Sequence, residues 1–171
     1  TANSLQAQVI DGYPTQPIKL VVPFPPGGAS DIIARIVGQR LAEHMKATVV
    51  IENKAGANGN IAAEYVVRSK PDGYTLIYNS SSVALSPALY KNLSFDVQKD
   101  LAPVILTTVV PMLLNVNSSV PVTSFKEFVA LLKAKPDSLS YGSAGVGNIT
   151  HLAPFLMLEQ LGLVANHVPY K

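Results

Sequence analysis

Residues 18–31 read I-K-L-V-V-P-F-P-P-G-G-A-S-D, and they decide how the N-terminal half of the chain folds. An apolar run broken only by Lys19 ends in a Pro/Gly cluster followed by a Ser-Asp pair. The run reads as a buried strand. Pro25 and Pro26 stiffen its exit, while Gly27 and Gly28 allow positive φ and a close backbone approach. Ser30 or Asp31 is placed to cap a helix. The first N–H groups of that helix point outward with about half a unit of positive charge. Such a loop suits an anion. Taken alone it reads more simply as a capped strand–helix turn.

Working outward, residues 30–46 carry Ile33, Ile36, Val37, Leu41 and Met45 at helical spacing, with Arg35, Gln39, Arg40, Glu43 and His44 on the polar side. Residues 48–52 read as a second strand and 60–68 as a second helix. The turn signal Lys70-Pro71-Asp72-Gly73 then precedes a third strand over 74–78. Strand, helix, strand, helix, strand predicts a parallel α/β sheet with right-handed crossovers.

The pattern changes after Ser80. Residues 80–103 are irregular, with one helical turn expected at 87–91. Two apolar runs, 104–110 and 112–116, are separated by Pro111. A helix capped by Ser124 with Glu127 three residues on follows. Then come a strand at 139–142, a Gly-rich loop, a helix over 149–161 and a closing strand at 166–170. The organisation expected is a tail over 1–14, one α/β lobe over 15–100 and a second over 101–171.

Composition bounds the function. Charged residues are 14% of 171, against about a quarter in ordinary soluble domains. The net charge is +2 and the 13 basic residues are scattered, which argues against a nucleic-acid partner. With no cysteine there are no disulfides, thiolate metal sites or cysteine nucleophiles. No apolar run approaches the roughly 18 residues of a membrane span. The opening T-A-N-S-L-Q-A-Q is either a loose tail or the end of a signal peptide's cleavage region, with Ala7 just before the cut.

Two further loops repeat the opening layout. Residues 143–151, S-A-G-V-G-N-I-T-H, run from a strand through glycines into a helix that Asn148 or Thr150 is placed to cap. Residues 79–82, N-S-S-S, follow the third strand with three hydroxyls. Three small, polar loops after three strands favour a ligand cleft between two lobes. Nucleotide motifs fail: there is no G-x-x-x-x-G-K-[ST], and G-V-G-N-I-T lacks the third glycine of the dinucleotide fingerprint. Catalytic motifs fail too. Gly142 directly precedes Ser143, so there is no G-x-S-x-G, and no H-E-x-x-H occurs. His44 reads as solvated and His167 as structural, while His151, one turn past the loop, is a candidate to face a ligand. Asp31 is a single carboxylate without a partner, read as a capping or water-holding group, which is poor material for acid–base chemistry. No cofactor or metal site is indicated.

Seven stretches in order carry a resemblance. They are Y13-P, residues 17–31, V-V-I-E-N-K-A-G-A-N-G-N-I at 49–61, P-D-G-Y-T-L at 71–76, P-A-L-Y-K at 87–91, Y-G-S-A-G-V-G-N-I-T-H-L at 141–152, and H-V-P-Y-K at 167–171. The sequence resembles the extracytoplasmic solute receptors of the tripartite tricarboxylate transporter family, also called Bug-type or TctC-type receptors. The resemblance implies a periplasmic-binding-protein-like α/β fold of two hinged lobes with mainly parallel sheets. It implies a small carboxylic acid ligand, delivery to a membrane permease, and export with removal of a signal peptide. Carried over by motif, the ligand-binding residues would be Gly28, Ala29, Ser30 and Asp31 on the first loop and Ser143, Ala144, Gly145 and Asn148 on the second. Phe24 and Ser80, Ser81 and Ser82 would line the remaining wall, with His151 beside the second loop. Family members continue past V-P-Y-K, so the resemblance implies the N-terminal part of a receptor, which would either self-associate through exposed edges or be the ordered remnant of a longer protein. Two rival classes use the same residues: a sensory carboxylate-binding module, and, with less support, an enzyme acting on small acids.

Overall fold

The computed structural model describes residues 12–170. The signal-peptide reading of the first residues lies outside them. The chain divides into two compact units, the first running through Ser80 and the second from Ser81.

In the first unit β1 (Ile18–Val22), α1 (Ala29–Met45), β2 (Val49–Asn53), α2 (Asn60–Val67) and β3 (Thr75–Ile77) follow one another. The sheet order is β2-β1-β3, with both pairings parallel. The β-α-β-α-β reading of the sequence is therefore correct. β1 is the central strand, and Ile18, Leu20, Val21 and Val22 are buried, as a continuous apolar run in a parallel sheet requires. Because the strands are parallel, the segments after Val22, Asn53 and Ile77 leave one edge of the sheet together.

Helix α1 seats differently from its apolar periodicity. The buried residues are Asp31, Ala34 and Gly38, while Ile36 is 56% exposed. Below Asp31 the seam is made by the small residues Ala34 and Gly38, four apart, which lets the helix axis come close to β2. A Cβ placed on Gly38 would lie 2.8 Å from Ile51 Cδ1 and 3.3 Å from Val49 Cγ1. Leu20, Val22 and Ala34 form the core here, with Val49, Ile51, Leu76 and Tyr78 around them. Ile33, Val37, Leu41 and Met45 are only half-buried along the flanks of the seam.

The second unit holds α3 (Ser82–Leu89), α4 (Phe125–Ala134), β4 (Ser140–Ser143), α5 (Ile149–Leu161) and β5 (Asn166–Pro169). β4 and β5 are parallel and pair Tyr141 with His167. The core is Phe128, Leu132, Leu158 and Leu163. The units divide after Ser80, where the sequence reading placed the boundary at 100/101, and α3 packs within the second unit. Its Ser82 and Ser86 are fully buried, and Leu89 packs on Gly147, where an added Cβ would meet Leu89 Cδ1 at 2.8 Å. The helix also begins at Ser82, five residues before the turn expected at 87–91. The capping box of α4 forms as expected: Ser124 Oγ accepts from Glu127 N–H, and Glu127 Oε2 accepts from Thr123 N–H at 2.7 Å.

The apolar runs at 104–116 form no strand among the described residues. Val104, Ile105, Leu106, Val109 and Leu113 are each at least three-quarters exposed.

The Gly38 seam gives a direct test. Gly38→Leu forces a branched side chain against Ile51 and Val49, and overpacking of this kind costs about 1–3 kcal/mol. A denaturant titration should show a lower midpoint with an unchanged slope, while Ile36→Ala on the exposed face should move the midpoint little.

Candidate functional site

The loop after β1 is organised by one carboxylate. Asp31 is 2% exposed. Its Oδ2 accepts from Gly27 N–H at 2.9 Å and from Arg35 Nε at 3.0 Å, and its Oδ1 accepts from Asn53 Nδ2 at 2.9 Å. The same Asn53 nitrogen donates to the Phe24 carbonyl at 3.0 Å, and Arg35 Nη2 reaches Asn53 Oδ1 at 3.3 Å. Bonding to Arg35, then to Gly27 N–H and Asn53, holds the Asp31 carboxyl well below the usual aspartate range. The helix cap differs from expectation. Gly28 is the N-cap, with no side-chain bond, so neither Ser30 nor Asp31 caps. Asp31 is the third residue of the helix, a position from which an acid reaches back past the cap. Here it fixes Gly27, whose φ of +86° needs a glycine.

Gly28 and Ala29 are exposed and Ser30 and Phe24 half-buried. Ala29 and Ser30 open the first turn of α1, whose N–H groups have no intrahelical acceptor. Gly59, with φ of +95°, sits against Pro23, where a Cβ would come within 3.1 Å of the proline's own. That contact brings the start of α2 beside the end of β1. The next residue, Asn60, is 7% exposed, and its side-chain nitrogen and oxygen have no partner among the described residues.

The three serines after β3 separate. Ser80 N–H donates to Asn79 Oδ1 at 2.7 Å. Ser81 is exposed at the start of α3. Ser82 is fully buried, with Asn148 Nδ2 at 3.4 Å from its hydroxyl and Ser86 Oγ donating to its carbonyl at 3.2 Å.

In the second unit the loop after β4 satisfies its own amides with side chains. Ala144 N–H donates to Thr150 Oγ1 at 2.9 Å, Gly145 N–H to Ser143 Oγ at 3.2 Å, and Gly147 N–H to His151 Nδ1 at 3.1 Å. Asn148 is the N-cap of α5, accepting from Thr150 N–H at 3.0 Å. Ser143 Oγ also lies 2.6 Å from His167 Nε2. The His167 ring stacks on Tyr141, centroids 5.0 Å apart, and on His151, at 4.0 Å. Burial and the neighbouring His167 lower the pKa of His151. Thus Ser143, Ala144, Gly145, Asn148 and His151 gather at one loop. Sequence reasoning missed Arg35 and Asn53, which complete the Asp31 clamp. It gave Thr150 only as a possible cap, whereas Thr150 Oγ1 accepts from Ala144 N–H, and His167, expected to be structural, lies against Ser143.

The family model described as "Tripartite tricarboxylate transporter family receptor" matches residues 33–171. A protein from the tcbD-tcbE intergenic region of Pseudomonas sp. (strain P51) is 37% identical over 174 residues, covering 100% of this chain and 51% of its own length. Protein BugT of Bordetella pertussis is 36% identical over 163 residues, with 94% and 50% covered. The chain thus spans about half the length of the curated relatives it matches. Among solved structures, an R. palustris protein with adipate is similar at a TM-score of 0.87 and 39% identity, covering 93% of this chain and 54% of that one. MatC from Rhodopseudomonas palustris with bound malate is similar at 0.77 and 31%, with 92% and 54% covered.

The Asp31 clamp predicts a pH dependence. A carboxyl whose folded pKa lies below its unfolded value, near 3.9, stabilises fully above that value and progressively less as pH falls through it. Denaturant midpoints measured from pH 7 to pH 2 should fall at the acid end, and Asp31→Asn should lower the neutral-pH midpoint while flattening that acid slope. An unchanged slope in the variant would remove Asp31 from the clamp.

Proposed function

Because the chain belongs to the tripartite tricarboxylate transporter receptor family, we propose that it captures a small carboxylic acid as part of an extracytoplasmic solute receptor. The reading places it in the periplasm and makes a membrane permease the recipient of the ligand. The observation that supports it most is the shared layout of two loops, residues 23–31 and 143–151. Each runs from a parallel strand through glycines into a helix N-terminus, in a family whose similar solved members hold adipate or malate. Such termini attract carboxylates without an arginine. No helix of the described residues is long and apolar enough to cross a membrane.

The chemistry of the site favours binding and release over catalysis. Ser143 and His167 stand at a nucleophile–base distance, yet Ser143 is 5% exposed and its hydroxyl is engaged with the amide and carbonyl of Gly145. The pair holds the loop. Asp31, the other reactive-looking group, is saturated by three donors.

A thermal-shift series with adipate, malate and mono- and tricarboxylates tests the reading. Ligand at about 100 times its dissociation constant adds roughly 2.7 kcal/mol to stability. Gly145→Val places a branched residue at φ of +115° and should reduce or abolish the shift. A folded chain whose melting temperature responds to none of these acids is not a carboxylate receptor.

A further inference from the structure

The Gly147 amide in the second loop is occupied by a side chain that can change charge. His151 Nδ1 accepts from Gly147 N–H at 3.1 Å. An imidazole nitrogen that accepts carries no proton, so the free protein holds His151 in the neutral form, with its proton on Nε2. The ring lies parallel to His167, centroids 4.0 Å apart and planes 16° apart, and tilts against Phe155 at 6.1 Å. Among the described residues, the titratable ring stacked on it is His167 on β5, which also stacks on Tyr141 of β4. Ser143 contributes only a hydroxyl, to His167. Protonated His151 would turn Nδ1 into a donor aimed at another donor, so the bond to Gly147 and the positive ring exclude each other.

We propose that His151 is the gate of the carboxylate site in the second unit: its neutral Nδ1 occupies Gly147 N–H in the free protein, a ligand carboxylate displaces it, and the released imidazole takes up a proton from solvent. The proposal rests on the receptor reading, and it adds a residue that couples ligand charge to protonation. The displaced Nδ1 lone pair is the one that takes the proton, and the imidazolium then faces the carboxylate that displaced it. Nothing else in the exchange needs to change charge. The direction of the free-state pKa agrees, since burial and His167 hold the ring neutral near pH 7. A carboxylate beside the ring raises that pKa. Proton uptake is therefore largest between the free and bound values. It vanishes above the bound value, where the ring stays neutral, and below the free value, where the ring is already charged.

The experiment is calorimetric titration of the full chain with adipate in buffers of different ionisation enthalpy, repeated from pH 6 to pH 8. Wild type should take up protons on binding, and its affinity should fall with rising pH, by up to roughly tenfold per pH unit where one proton is fully coupled. His151→Gln keeps an acceptor for Gly147 but cannot titrate, so its proton uptake should vanish and its pH profile should flatten. His44→Gln, on the exposed side of α1, should leave both as in wild type. A ligand-free measurement covers the case of a variant that does not fold: in wild type the NMR signal of the Gly147 amide should move with the His151 ring as pH falls. Binding without proton uptake, uptake that persists in His151→Gln, or a Gly147 amide indifferent to His151 titration each overturns the gate alone. Failure to bind adipate, malate or any other small carboxylate overturns the receptor reading and the gate with it.

Discussion

The bond from Gly27 N–H to the Asp31 carboxylate is the constraint on which the first unit's loop depends. It closes a turn that Gly27 can enter only at positive φ, and through the other carboxylate oxygen and Asn53 it ties the end of β1 to the end of β2. Arg35 supplies the charge that keeps the carboxyl ionised while buried. A buried carboxylate without such donors would be costly. With three of them it holds the turn that leads to the exposed backbone at Gly28 and Ala29.

The second unit answers the same backbone problem with neutral acceptors. Ser143, Thr150 and His151 each take one amide of the loop. The difference has a functional consequence. The Gly27 amide already has a charged acceptor in Asp31, whereas the amides of the second loop have neutral ones, for which a carboxylate would be a stronger, charge-assisted acceptor.

The alternation of strands and helices was legible because the buried strands of a parallel sheet are continuous apolar runs, and Ile18–Val22 is one. The Gly-rich loops were legible because strand exits and caps have local chemistry. What sequence reading missed was set by tertiary distance. Ile36 fits a helical apolar face, yet Ala34 and Gly38 take the seam because their small side chains let α1 close on Ile51. The unit boundary was hidden because α3 is anchored by buried serines, which carry no apolar signal. His167 joined Ser143 only through the register that pairs β4 with β5. The Tyr13-Pro14 and Asp72-Gly73-Tyr74 motifs, read separately, form one feature: Tyr13 donates to the Gly73 carbonyl at 2.7 Å and its ring lies 4.9 Å from that of Tyr74.

Asn60 and the 104–116 segment mark opposite departures from the rule that burial follows polarity. Asn60 is polar, buried and unpaired among the described residues. Residues 104–106 are apolar and exposed. The sequence alone gives no warning of either, because each is defined by what surrounds it. Removing both partners of a buried polar pair is nearly neutral, but burying one group alone costs about 1–3 kcal/mol. Asn60 lies at the edge where the sheet's loops emerge, next to the Gly59–Pro23 contact. Among the described residues, the buried polar side chains of the first unit, Asp31 and Asn60, both lie where the loops leave the sheet, so the polar interior of this unit is confined to that one edge.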